Sequence, residues 1–109
     1  MAEINTNWCQ SVGGVVLRDG RVLLARHTYG AGKGWLIIPG GYVQTGESPE
    51  DALRREGYEE TGVRVEPRGI LGVRFNAKDW YVVFAADYAA GDARSDQDEN
   101  DLVAWLPVA

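Results

Sequence analysis

Only one stretch of this 109-residue chain carries the signals of a helix, and the rest must be built around it. Ser48 is a side-chain cap, Pro49 suits the first helical position, and Glu50 and Asp51 favour a helix's positive end. Gly62, which adopts the left-handed conformation at little cost, supplies the stop. The spacing predicts a helix over 48–61. Around it lie short runs of strand-like composition. Those at 11–17 and 21–26 are joined by Asp19-Gly20, a hairpin signal. A short apolar strand at 35–38 is stopped by Pro39-Gly40-Gly41, and further strands are expected at 63–65, 69–75, 80–87 and 102–106. A flexible loop at 29–34 and a polar loop at 91–100 complete the chain. Many strands around one helix, in this order, predict an α+β fold with a mixed sheet. At this length we expect one domain, residues 1–109, with a modest core.

The helix is also where the acids cluster. Glu56, Glu59 and Glu60 are spaced i, i+3, i+4, so their side chains leave within about 100° of arc. Like charges at this spacing repel by a few tenths of a kcal/mol per pair. A solvated acidic stripe with partners such as Arg54 or Arg55 would tolerate that. So would a divalent cation held among the carboxylates. The whole chain leans the same way, with sixteen acidic against eleven basic residues, a net charge of -5 and a pI near 4.7. Such a balance argues against duplex nucleic acid as a partner, because that binding neutralises phosphates with Lys and Arg. It accommodates a small polyphosphate if divalent cations lie between the two sets of negative charge. No apolar run reaches bilayer length, and Met1-Ala2-Glu3-Ile4-Asn5 lacks a basic start followed by an apolar core. A cytoplasmic protein without a membrane partner is the expectation. Cys9 is the only cysteine, which excludes an internal disulfide and a multi-cysteine zinc site.

From Gly41 the chain reads Gly41, five residues, Glu47, seven residues, then Arg55-Glu56-Gly57-Tyr58-Glu59-Glu60-Thr61-Gly62-Val63. This resembles the Nudix box, and all seven fixed positions match over 23 residues. The flanks agree: a hairpin and a Trp-containing strand precede Pro39-Gly40-Gly41, and an acidic loop and a Trp-Leu-Pro strand follow. One position departs. Gly57 stands where the family normally has a bulky aliphatic residue, and a mid-helix glycine costs about 1 kcal/mol relative to alanine. It either permits a closer approach to the sheet or softens the helix.

The residues themselves suggest roles. Gly40 and Gly41 allow a tight turn that brings a main-chain carbonyl near a metal, and the 42–47 loop returns the chain to the helix start. Glu47 is placed to accept from Arg55 or to hold a metal-bound water, and Arg55 to orient a glutamate through a bidentate contact. The resemblance implies Glu59 and Glu60 as main metal ligands, with the Gly40 carbonyl beside them. Glu56 becomes a base or water-orienting group that also faces the metal, although which glutamate removes the proton varies in the family. The implied cofactor is Mg²⁺, with Mn²⁺ able to substitute. Acids recur at Asp96, Asp98, Glu99 and Asp101; in many members of the family this loop swings a glutamate over the metals, and Glu99 is the candidate, a solvated loop the other reading.

The implied activity is attack of water on a phosphorus of a nucleoside diphosphate linked to another moiety. The alternatives are a non-catalytic Nudix-fold module that binds a nucleotide as a sensor, and an interaction domain whose acids merely solvate the helix. Gly41, Trp35, Tyr42, His27 and Phe75 are candidates to touch a small nucleotide-like substrate; Trp80 and Tyr81 join the possible stacking platforms, although packing explains each aromatic taken singly. Trp105 reads as structural. Two decoys fail on their spacing. An EF-hand starting at Asp96 would put Asp101 at its glycine and Pro107 at its glutamate, and a P-loop around Gly32-Lys33 would start on His27.

For fold, the resemblance implies an α/β/α sandwich around the mixed sheet. The family usually continues into a further helix, whereas only Val108 and Ala109 follow Pro107, so the C-terminal helix is expected to be missing and one layer thinned. The apolar face left open would then need a partner, and a homodimer is the simplest.

Overall fold

The computed structural model describes residues 9–30, 33–77 and 79–108. The leader reading at the N-terminus, the middle of the 29–34 loop with its P-loop decoy, and Ala109 lie outside the described residues. Strands β1 (Cys9–Arg18) and β2 (Arg21–His27) form the expected hairpin, turning through Asp19 and Gly20, both at positive φ. Then follow β3 (Leu36–Ile37), β4 (Gly40–Tyr42), the helix α1 (Pro49–Thr61), β5 (Arg64–Phe75), β6 (Asp79–Ala90) and β7 (Asn100–Pro107).

The seven strands make one mixed sheet organised by β1. One edge of β1 pairs in parallel with β6 from Cys9 to Leu17, and β5 lies antiparallel outside β6. Its other edge is shared: β4 occupies it from Ser11 to Gly13, and β2 at Leu17 and Arg18. Beyond the hairpin, β2 pairs antiparallel with β7 and with the short β3. The α+β class with a mixed sheet therefore holds. Among the described residues α1 is the only helix, so they supply one helical layer and not the two of a full sandwich. None of their helices is long and apolar enough to cross a membrane.

Two expectations about strands need correction. The segments 63–65 and 69–75 are not separate; β5 is one strand, bent by three register shifts that absorb its extra residues. Strand β3 stops at Ile37, before Pro39, as expected, but the chain does not then turn through the glycines. Gly40 and Gly41 begin β4, and neither has a positive φ. Their need for glycine is steric: a Cβ on Gly40 would lie 2.0 Å from the Val12 carbonyl oxygen, and one on Gly41 2.5 Å from the Glu56 carboxylate carbon. The pair lets β4 press against β1 on one side and a glutamate on the other.

Helix α1 is held by local chemistry. The Ser48 hydroxyl accepts from the Asp51 amide at 3.1 Å, Pro49 opens the first turn, and Gly62 closes the last in the left-handed conformation. Its buried face carries Leu53, Gly57, Glu60 and Thr61, the i, i+4, i+7, i+8 stripe of a helix lying on a core. Leu53 packs with Val12, Val16, Val63, Val65 and Phe84 from the sheet and the helix exit. Glu60 is the anomaly in that stripe. A carboxylate occupies a position that periodicity assigns to an apolar side chain, and it decides what the site can do.

Candidate active site

Four segments converge where the buried stripe of α1 meets β4. A cleft of about 460 Å³ opens there, lined by His27 and Tyr29 at the end of β2, Gly40, Gly41 and Tyr42 of β4, Gln44, Glu56 and Glu60 of α1, and Glu99 before β7. Three glutamates from a helix and a loop thus share one space. A second cavity of about 440 Å³ continues past His27, Gly40, Gly41 and Tyr42 and is walled by Ile37, Ile38 and Tyr81.

Glu60 is the most constrained of the acids. It is 5% exposed, and its Oε1 accepts from the Gly40 amide at 3.3 Å. Its Oε2 is buried with no hydrogen-bond partner; His27 Nε2 stands 3.8 Å away, too far for a hydrogen bond. Burial, aided by Glu56 and Glu99 nearby, pushes the carboxyl up to about 8. Glu56 is also raised by burial, although Arg55 opposes the shift. One turn away the logic inverts. Arg55 grips Glu47 with two hydrogen bonds of 2.7 and 2.9 Å, and Glu47 also accepts from the Gln44 amide; these bonds hold its carboxyl down at about 2. The same guanidinium donates to Glu56 Oε1 at 2.7 Å, to Glu59 Oε2 at 3.3 Å and to the Tyr42 carbonyl at 3.0 Å. One cation thus fastens the 42–47 loop, β4 and two turns of α1 together.

The predicted residues separate into groups. Glu56, Glu60, Glu99, Gly40, Gly41, Tyr42 and His27 line the cleft, whereas Glu47 and Arg55 stand behind it. Glu59 does not line it: its side chain is 58% exposed and turned to Arg55. Helix geometry explains this, since successive residues advance by about 100°, which puts Glu59 that far around the axis from its neighbour Glu60. Trp35 and Phe75 are exposed and outside the cleft. Gly57 is buried, and a Cβ there would meet Val65 at 3.5 Å, an ordinary contact; neither an unusually close approach nor a clash requires glycine. Sequence reasoning missed Tyr29 and Gln44, which also line the cleft, and the buried Asn100 behind Glu99. Neighbourhood to His27 and Glu47 was the only signal for the first two.

Would this site accept a divalent ion? Among the described residues no three His, Cys, Asp or Glu side chains already form a ligand set, and Arg55 holds oxygens of Glu47, Glu56 and Glu59. Yet an orphaned carboxylate oxygen in the core, beside two further glutamates and with only the His27 ring 3.8 Å away, is the feature a hard cation would satisfy. The residues fit such an ion.

Fold and cleft together define an α+β domain that gathers carboxylates from one helix and one loop beside a close-packed pair of glycines. The chain belongs to the Nudix family, matching the NUDIX domain over residues 8–109. It is 40% identical over 99 residues to a MutT-like protein of Streptomyces ambofaciens, covering 88% of this chain and 62% of that one. With an ADP-ribose pyrophosphatase of Methanocaldococcus jannaschii the identity is 31% over 98 residues, covering 84% and 57%. The chain therefore spans about three fifths of the length of these two relatives. The crystal structure of a NUDIX hydrolase from Nitrosomonas europaea has the same fold, with a TM-score of 0.87 at 23% identity, covering 96% of this chain and 60% of that one.

Proposed function

We propose that this domain is a divalent-metal-dependent pyrophosphohydrolase, splitting the diphosphate of a nucleoside diphosphate linked to another moiety. The observation that carries the reading is Glu60, a buried carboxylate with one oxygen left without a hydrogen-bond partner, in the wall of a cleft shared with Glu56 and Glu99. The relative named as an ADP-ribose pyrophosphatase supports the reaction class.

Glu56, Glu60 and Glu99 would hold the ion, with the Gly40 carbonyl beside them and Glu59 joining by leaving Arg55; magnesium is the choice, with manganese able to replace it. When bound, it neutralises the diphosphate and makes water more acidic. The protein's own groups do the rest. Gly40 and Gly41, without side chains, let β4 close against β1 and bring its backbone beside the Glu56 carboxylate at the cleft. Arg55 fixes Glu56 through Oε1, leaving Oε2 against Gly41 to take a proton from the attacking water. Burial raises the affinity of that carboxylate for the proton. The water oxygen bonds to phosphorus as the bridging P–O bond breaks, and the leaving phosphate carries the electron pair away. His27 and Tyr42 stand where the cleft passes into the second cavity, which takes the remainder of the substrate between Ile37, Ile38 and Tyr81.

The test is a panel of nucleoside diphosphate derivatives assayed with magnesium and with chelator. Turnover that needs the metal and falls about 100-fold or more in Glu60→Gln is expected. Binding without turnover would replace this reading with a nucleotide sensor, and neither would leave an interaction domain.

A further inference from the structure

We propose that Asn100 is a positioning residue, which locks the 95–99 loop to the end of α1 and so holds Glu99 in the cleft with Glu56 and Glu60. The inference rests on the reading of that cleft as a metal site. A helix leaves its last carbonyls without partners inside the helix. Here the Gly62 amide takes the Tyr58 carbonyl at 2.8 Å, and the Arg94 amide takes that of Thr61 at 2.7 Å. The carbonyl of Glu60 is taken by the side chain of Asn100, whose Nδ2 donates at 2.8 Å from forty residues away.

Capping alone would need only that donor. Asn100 does more, because each of its other polar groups is tied into the loop before it. Its Oδ1 accepts from the Ser95 hydroxyl at 2.6 Å, and its amide donates to Asp96 Oδ1 at 3.1 Å. The same two side chains take the amides of Gln97 and Asp98, and the loop passes through Gln97 at φ 61, a conformation that non-glycine residues adopt at a cost. On the opposite side Thr28 donates its amide to the Glu99 carbonyl at 3.1 Å and its hydroxyl to the Asp98 carbonyl at 2.8 Å. Glu99 is thus bracketed between the backbone of Glu60 and the end of β2. Asn100 is 1% exposed, and an amide satisfied on both ends in the core has one rotamer available to it. Glutamine would not fit this geometry, and a leucine of similar volume would leave the Glu60 carbonyl unpaired and the Ser95 hydroxyl with only its bonds to the residue-100 carbonyl and the Gln97 amide.

The experiment combines Asn100→Ala, Glu99→Gln and the double variant, reading Mn²⁺ affinity by electron paramagnetic resonance together with kcat and KM. Each single change is expected to weaken Mn²⁺ binding or lower kcat about 10- to 100-fold, with KM moving less, and the double variant to be no worse than Glu99→Gln alone. Effects that multiply would show that Asn100 serves the fold at large, and overturn the proposal. So would a Glu99→Gln protein with unaltered Mn²⁺ affinity and kcat; the wider reading of the cleft stands or falls separately on Glu60→Gln. Should Asn100→Ala not fold, Ser95→Ala removes the loop's side-chain bonds to Asn100 and keeps those to Glu60 and Asp96. It should reproduce the pattern, and wild-type Mn²⁺ affinity and kcat in that variant would count against the lock.

Discussion

Arg54 and Arg55 are neighbours on one helix, yet they belong to different regions of the molecule. Arg54 looks outward; its side chain is 42% exposed, and it reaches Asp51 at 2.7 Å and Glu66 at 2.8 Å across open surface. Arg55 looks toward the cleft; it is 23% exposed, and its partners Glu47 and Glu56 are more enclosed still. The distances are nearly equal, so a list of ion pairs would rank them together. Their surroundings rank them apart. Exposed pairs are screened by water and contribute little, whereas an enclosed charge that loses its partner costs several times more. The cleft face of α1 spends stability on carboxylates kept from water, and the outer face does not.

The largest expected consequence is a pH dependence confined to the cleft face. The carboxyl of Glu60 sits at about 8 in the folded protein against an ordinary 4.5. The folded state therefore holds this proton more tightly than the unfolded chain does. Its contribution to stability is complete below about 4.5 and is lost as the pH rises through 8. Without metal, the melting temperature should fall from pH 5 to pH 8 by the equivalent of roughly 1 to 4 kcal/mol, and Glu60→Gln should flatten the profile. A flat wild-type profile would erase the contrast between the two faces.

Next comes Arg55→Ala, which leaves Glu47, Glu56 and Glu59 without their shared cation. Urea unfolding should show a loss of about 2 kcal/mol, and kcat should fall about 10- to 100-fold. Gly57→Ala works in the opposite direction. A methyl fits against Val65 at ordinary contact distance, so the helix should gain about 0.5–1 kcal/mol, read as a higher urea midpoint. The smallest effect belongs to Arg54→Ala, at most about 0.5 kcal/mol with kcat unchanged. A loss equal to that of Arg55→Ala would break the comparison.

What could be read beforehand follows from how local each determinant is. Helix α1 was legible because Ser48, Pro49 and Gly62 act within a turn of where they stand. The glutamate spacing was legible too, but not which acids would turn inward. That depends on the sheet beneath, which receives the stripe through Leu53, Gly57 and Glu60 and leaves Glu59 outside. Strand β4 was hidden because two glycines carry no side-chain alternation, and only Gly13 and Val12, some thirty residues away, make them a strand. Asn100 was hidden for a related reason: a polar residue in an acidic stretch reads as surface until its partner on α1 is known.

Glu60 Oε2 lacks a hydrogen-bond partner, and a divalent ion would satisfy that oxygen. Because its carboxyl is raised to about 8, it holds a proton near neutral pH, and an ion that binds there must displace it. Magnesium titrated into the protein at pH 7, by calorimetry in two buffers of different ionisation enthalpy, should release close to one proton per chain, and Glu60→Gln should abolish that release. Binding without proton release, or the same release from the variant, would contradict the account.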